Sequence, residues 1–237
     1  MENKHKLQTL LDHLEVFQIC DSTFPIGTFN HSFGMENYLH DRRIKKAPEF
    51  QTWFENYFKS QFKYGEGLLT VLCWRALEKD ELEKLWEYDD IITNSTLALE
   101  TRNGQKLIAK QMLALIKRMY GTIKPLDTYE ARIKDGESAG SPAIVFTIFA
   151  KHQKLSLMDT FMMYGYSIGS TMVQNAVRAI PLGQRDGQVV LHDVIALLGD
   201  LYPVVKKLDE AYLGANVPGL ELAQIKHETQ GSRLFMS

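Results

Sequence analysis

The residues that could perform chemistry are few, and the first group lies near the N-terminus. A carboxylate, a hydroxyl and an imidazole occur close together at Asp21, Ser22 and His31, and these are the three groups of a hydrolase triad. No nucleophile-elbow motif surrounds Ser22. We therefore predict no catalytic residues and no enzymatic activity, and we keep a serine hydrolase that uses Ser22 and His31 as an alternative.

The sequence shows neither a metal-binding motif nor a phosphate-binding loop. Its seven histidines show no H-x-H or H-x-x-x-H spacing, so we predict no metal site and no cofactor in the isolated chain. Nickel favours imidazole and other nitrogen or oxygen ligands, and a transient site shared across a complex remains open. The segment Gly104-Gln105-Lys106 is not a phosphate loop, because no glycine lies five positions before Gly104.

Composition narrows the class of protein. The formal net charge of −2 over 237 residues argues against a nucleic-acid binder, which needs a basic surface to release counterions. Cys20 and Cys73 lie in apolar surroundings without a C-x-x-C pair, which is typical of reduced core thiols in a cytosolic protein. The longest apolar run, 143–150, is too short to span a bilayer. We expect a cytoplasmic protein that binds neither nucleic acid nor membrane.

Helical periodicity dominates the chain and predicts the elements that must position any site. Apolar residues recur at helical spacing in 7–19, 95–120, 142–152 and 155–180, and an aromatic stripe follows Phe50. Strand patterns are nearly absent. We therefore predict one all-α domain over 1–237, with about nine to eleven helices, a flexible N-terminus at 1–6 and a C-terminal docking tail at 218–237.

A polar corner at 174–188 joins the two most apolar helices. Pro181 lacks a backbone N–H and must end the first helix nearby, and Gly183 and Gly187 are expected to adopt positive φ values. This corner is either a capping network or a surface that presents Arg178 to another protein. A further alternative is a helical small-molecule-binding domain, in which the methionine-rich helix from Met158 forms a pocket wall.

Three stretches together resemble the UreF family of urease accessory proteins. The first runs from Asp21 to Glu36 (DSTFPIGTFNHSFGME), and the second contains Asn-Ala-Val-Arg-Ala-Ile-Pro-Leu-Gly-Gln at 175–184, followed by Gly187-Gln188. The third is His227-Glu228 with Arg233-Leu234-Phe235 and the final Ser237. A similar Glu100-Thr101-Arg102 with Gly104 occurs in a central helix. Met236 departs from the arginine often found in the family.

The resemblance implies an all-α, non-enzymatic chaperone or scaffold for assembly of the nickel metallocentre of urease. UreF-like proteins tend to dimerise and bridge the accessory protein UreD (also called UreH) to the GTPase UreG, so that nickel reaches apo-urease. The matching positions predict a set of partner-binding residues. They are Phe33, Glu36, Asn175, Arg178, Pro181, Gly183, Gln184, Gln188, His227, Arg233, Leu234 and Phe235.

Overall fold

The computed structural model describes residues 2–215 and 217–237, and within these it contains helices and no strand. The α-helices are α1 (Glu2–Cys20), α2 (Met35–His40), α3 (Ala47–Tyr57), α4 (Glu66–Glu78), α5 (Leu82–Ser95), α6 (Leu99–Tyr120), α7 (Lys124–Lys134), α8 (Pro142–His152), α9 (Leu157–Ala179), α10 (Gln184–Val205) and α11 (Pro218–His227). A π-helical turn, Phe58–Phe62, follows α3, and short 3₁₀ turns occupy Thr28–Asn30 and Glu210–Tyr212. The all-α prediction is confirmed.

Helix α9 lies at the centre of the molecule. It packs along α10 and also contacts α1, α4 and α8. The aromatic stripe of α3 and the π-turn is fully buried from Phe50 to Phe62, and the Phe62 ring lies 5.4 Å from that of Phe161 on α9. The predicted stripe is therefore core, and a single hydrophobic cluster unites the helices.

Local chemistry sets several helix boundaries, and those at Pro142 and Pro181 agree with the prediction. Pro142 is the first residue of α8, where its missing N–H leaves no helical bond unmade. The Ser156 hydroxyl caps α9 by accepting from the Asp159 N–H at 3.1 Å. At the other end, Ile180 leaves the helical conformation (φ −118°, ψ 153°) because Pro181 follows it.

The backbone conformations of the two corner glycines, Gly183 and Gly187, differ from those expected. Gly183 has φ −68° and Gly187 lies inside α10, so the expected positive φ values are wrong for both. A Cβ on Gly187 would lie 3.0 Å from Val173 Cγ1 and 3.1 Å from Val177 Cγ2. Close packing of α10 on α9 therefore requires the glycine here, rather than a turn.

Helix α6 differs from its predicted extent. It begins at Leu99 rather than at Ser95, because 96–98 form an extended break after α5. Between α6 and α8, the segment 121–141 contains α7, and Asp89 anchors the end of this segment by accepting from the Ala139 and Gly140 N–H groups at 2.8 and 3.1 Å.

Two helices carry much exposed apolar surface. Helix α1 begins at Glu2, and its Leu7, Leu10 and Leu14 side chains are exposed. Within the described residues, α10 alone is long and apolar enough to cross a membrane by length and composition. Core helices also pass that test, and α10 buries Val194, Leu198 and Val205 against the rest of the protein.

Candidate functional site

Three segments that are distant in sequence meet on one side of the molecule. They are the loop at 21–34 that leads into α2, the C-terminal end of α9, and α11 with the tail at 228–237. The N-terminus of α6 completes the site from a fourth direction. The three stretches that carry the family resemblance are therefore neighbours in the fold.

The end of α9 holds the N-terminal loop through two side chains. The Asn175 amide is buried and donates to the His31 carbonyl at 2.9 Å, which satisfies a loop carbonyl that no helix pairs. The Arg178 guanidinium donates to the Phe29 carbonyl at 2.9 Å and lies over the rings of Phe29 and Phe235. Arg178 thus joins the loop to the tail.

A cluster of four charged side chains lies beneath the tail, and we call it the charged cluster: Glu36, Glu100, His227 and Arg233. His227 on α11 is completely buried, with Nδ1 2.7 Å from Glu100 Oε2 and Nε2 2.9 Å from Glu36 Oε2. Arg233 Nη1 lies 2.6 Å from Glu100 Oε1. Two carboxylates and two basic groups therefore compensate one another across four separate segments.

The backbone of the tail is fastened on the same cluster. The N–H groups of Leu234 and Phe235 donate to Oε1 and Oε2 of Glu36, at 2.5 and 3.0 Å. Further along, the Met236 N–H donates to the Asn30 carbonyl at 2.7 Å, and Ser237 Oγ lies 2.8 Å from His31 Nδ1. These contacts dock the tail on its own domain.

Gly104 and Gly34 allow the loop at 21–34 to pack closely against α6 and α11. A Cβ on Gly104 of α6 would lie 2.8 Å from the His31 ring, so the loop histidine packs directly against the helix at this glycine. Gly34 has φ +94°, and its Cβ would lie 3.0 Å from Leu220 Cδ1 and Gln224 Cγ. Larger residues at either position would separate the loop from α6 or from α11.

The surroundings change the proton affinities of two groups in the site. Burial raises the pKa of Glu100, but hydrogen bonds from His227 and Arg233, together with their positive charges, lower it below its usual range. Burial lowers the pKa of His31, because its imidazole has left water without gaining an acidic partner. At neutral pH we therefore expect a charged Glu100 and a neutral His31.

The structure brings together eight of the predicted residues and leaves four apart. Phe33, Glu36, Asn175, Arg178, His227, Arg233, Leu234 and Phe235 are in the site. Pro181, Gly183, Gln184 and Gln188 lie in the exposed corner beyond the end of α9. The guanidinium of Arg178 bonds the loop rather than the amides of Gln184 or Gln188. The corner is therefore a separate surface, next to the site.

Three residues that complete the site were absent from the predicted set. Glu100 carries two of the cluster's contacts, Gln224 donates to the Phe33 carbonyl at 3.2 Å, and Ser237 contacts the His31 ring. Glu100 and Ser237 occur in the motifs that resemble the family, so a signal for them existed. Gln224 sits in an ordinary helical pattern and gave none.

The structure gives little support to the two alternatives, a serine hydrolase and a small-molecule pocket beside the methionine-rich helix. His31 Nδ1 contacts Ser237 rather than Ser22. Met158 is 51% exposed, and the cavity lined by Met172 has a volume of about 40 Å³, far below the 300 Å³ or more of a typical ligand pocket. In the part of the chain that the structure describes, no three His, Cys, Asp or Glu side chains are placed to hold a metal ion.

The fold and the site define an all-α protein in which a buried charged cluster fixes the C-terminal tail beside an N-terminal loop. Comparison with known proteins shows which family this protein resembles. The UreF family model matches residues 44–195. Urease accessory protein UreF of Streptococcus salivarius (strain 57.I) is 53% identical over 229 residues, covering 97% of this chain and 96% of that protein.

Relatives with lower sequence identity are also similar over nearly the whole chain. Urease accessory protein UreF of Bacillus sp. (strain TB-90) is 40% identical over 94% of this chain and 98% of its own length. Urease accessory protein UreF of Ureaplasma urealyticum serovar 10 is 37% identical over 96% of this chain and 97% of its own length. The chain belongs to the UreF family.

Proposed function

We propose that this chain is a urease accessory protein, a chaperone or scaffold that acts in the assembly of the nickel metallocentre of urease. It bridges the accessory protein UreD/UreH to the GTPase UreG and takes part in GTP-dependent delivery of nickel to apo-urease. It works in the cytoplasm as a homodimer and catalyses no reaction itself. Membership of the UreF family and the absence of a phosphate loop from its sequence support this proposal.

The observation that carries the proposal is the exposed rim above the charged cluster. Phe29 is 46% exposed and Leu234 is 53% exposed, and Arg178 and Arg233 lie beside them with part of their guanidinium surface in solvent. Apolar and arginine side chains held on a rigid base are typical of protein–protein hot spots. Because hydrogen bonds to the rest of the domain position Arg178, Arg233 and Leu234, the rim can be presented without first being ordered by a partner.

Arg178→Ala tests whether the rim recruits UreG. The matched control is Arg185→Ala, since Arg185 is an exposed arginine on the first turn of α10, just beyond the site. We expect Arg178→Ala to weaken capture of UreG by at least about 30-fold, the loss that corresponds to a hot spot of about 2 kcal/mol. Arg185→Ala should capture UreG normally.

Folding must be checked alongside binding, because Arg178 also stabilises the loop. Loss of its hydrogen bond should lower the free energy of unfolding by about 0.5–2 kcal/mol, which a urea titration measures. Undiminished capture of UreG by a correctly folded Arg178→Ala protein refutes the recruiting role.

A further inference from the structure

The two ring nitrogens of His227 both face carboxylate oxygens. Nδ1 lies 2.7 Å from Glu100 Oε2, and Nε2 lies 2.9 Å from Glu36 Oε2. A hydrogen bond at each position needs a proton between the two atoms, whereas a neutral imidazole carries only one N–H. The geometry therefore requires one proton more than a neutral histidine and two carboxylates possess together.

The charges around the ring show where that proton resides. Glu36 comes from α2, Glu100 from α6 and Arg233 from the tail. The sequence neighbours of His227 are Lys226 on α11 and Glu228, which directly follows that helix. Glu228 is already engaged, since its Oε1 accepts from the Leu99 N–H at 2.7 Å. An imidazole is a stronger base than a carboxylate, so the proton belongs on His227. With an imidazolium, the charged cluster sums to zero.

We propose that His227 is a positioning residue that never touches a partner: as a doubly protonated imidazolium it clamps Glu36 and Glu100 together, and the clamped carboxylates hold the tail at 233–237 in its docked position. The inference deepens the proposed function and rests on it, because the docked tail supplies Arg233 and Leu234 to the rim. The ring is 0% exposed, so its effect on a partner must pass through the tail.

The first test is nitrogen NMR of the full-length chain with ¹⁵N-labelled histidine rings, assigned through a His227→Gln variant. The geometry predicts that both ring nitrogens of His227 carry protons at pH 7.5. A neutral His227 ring at that pH overturns the proposal. This result needs no partner protein and no stable variant beyond the assignment.

The second test follows amide exchange of the C-terminal peptide by mass spectrometry in the parent chain and in His227→Gln. Loss of the clamp should reduce the protection of Leu234 and Phe235, whose N–H groups donate to Glu36, by at least tenfold. Unchanged protection in His227→Gln overturns the positioning role.

Capture of UreG by His227→Gln separates this inference from the proposed function. We expect weaker capture at neutral pH, together with at least tenfold faster exchange of the tail amides. Normal capture by His227→Gln refutes the positioning role even if Arg178→Ala abolishes binding. An imidazolium at His227, together with faster exchange of the tail amides in His227→Gln, supports the clamp even if Arg178→Ala leaves UreG capture intact and the proposed function fails.

Discussion

Two carboxylate sites in this protein are both shielded from water, but they differ in how the negative charge is compensated. In the charged cluster, the carboxylates of Glu36 and Glu100 meet His227, Arg233 and two backbone N–H groups. On α4, Glu66 accepts one hydrogen bond, from Gln105 at 3.1 Å, and its Oε2 is buried without a hydrogen-bond partner. Burial raises the pKa of Glu66, whereas the pKa of Glu100 is lowered despite its burial.

The difference shows what keeps a buried acid charged. Removal from water penalises the charged form at both sites. Only in the cluster do positive neighbours and hydrogen-bond donors outweigh that penalty. Glu100 therefore acts as an anion within the cluster that joins four segments, while Glu66 tends towards the neutral acid and organises little beyond Gln105.

The largest expected effect is that of Glu36→Ala. The substitution leaves the Nε2 of His227 and the N–H groups of Leu234 and Phe235 without their acceptor. Removal of one member of a buried ion pair typically costs about 3–5 kcal/mol. Urea unfolding followed by circular dichroism measures this loss in the free energy of unfolding.

Glu87→Ala is the matched control for that loss. Glu87 pairs with Lys84 at 2.7 Å on an exposed face of α5, and surface pairs contribute about 0–1 kcal/mol. If Glu36→Ala were no more destabilising than Glu87→Ala, the cluster would not hold the fold together as we describe.

Glu66→Gln is expected to change the free energy of unfolding by an intermediate amount, and to raise it rather than lower it. The raised pKa of Glu66 means that the folded chain keeps its proton above about pH 4.3, where the unfolded chain has lost it. The folded state therefore loses stability as pH rises through that window, and the glutamine variant escapes this loss. We expect a gain of about 1 kcal/mol at pH 8 and little change at pH 4.

The same isosteric change at Glu100 provides the contrast. Glu100 has a lowered pKa, so its charge stabilises the folded state at neutral pH and Glu100→Gln should destabilise it. Urea titrations of both variants at pH 5 and pH 8 give the comparison. Equal signs for the two substitutions would contradict the distinction between the sites.

The smallest effect is expected from acid titration of His31. Its pKa is lowered by burial, so an unfolded chain takes up a proton below about pH 6.5 before the folded chain does. Stability is therefore lost as pH falls below that value. Thermal melting between pH 5 and 7 should show a slope that His31→Gln reduces, and an unchanged slope would refute the assignment.

Much of the fold follows from local features of the sequence. The apolar spacing of 142–152 and the proline at its start gave α8 with its observed bounds, Pro142–His152. The aromatic stripe from Phe50 is core because its 3.6-residue spacing puts every ring on one face. Helix formation depends on neighbours within one or two turns, so the sequence alone predicts it well.

The candidate site was predictable only in part. Family-like motifs pointed to Glu36, Arg178 and His227, but their mutual positions could not be read from spacing. The prediction of positive φ values at Gly183 and Gly187 failed because glycine serves close packing as often as turns, and the sequence does not distinguish these uses.

By itself, then, the sequence determined an all-helical chain with its main helix boundaries and its family. Tertiary structure alone decided that Glu100 and His227, 127 residues apart, face each other, and that the tail lies on its own domain. Local hydrogen bonds and periodicity specify helices. Which side chains meet, and so which charges compensate, depends on how the helices pack, because those contacts form between segments that are distant in sequence.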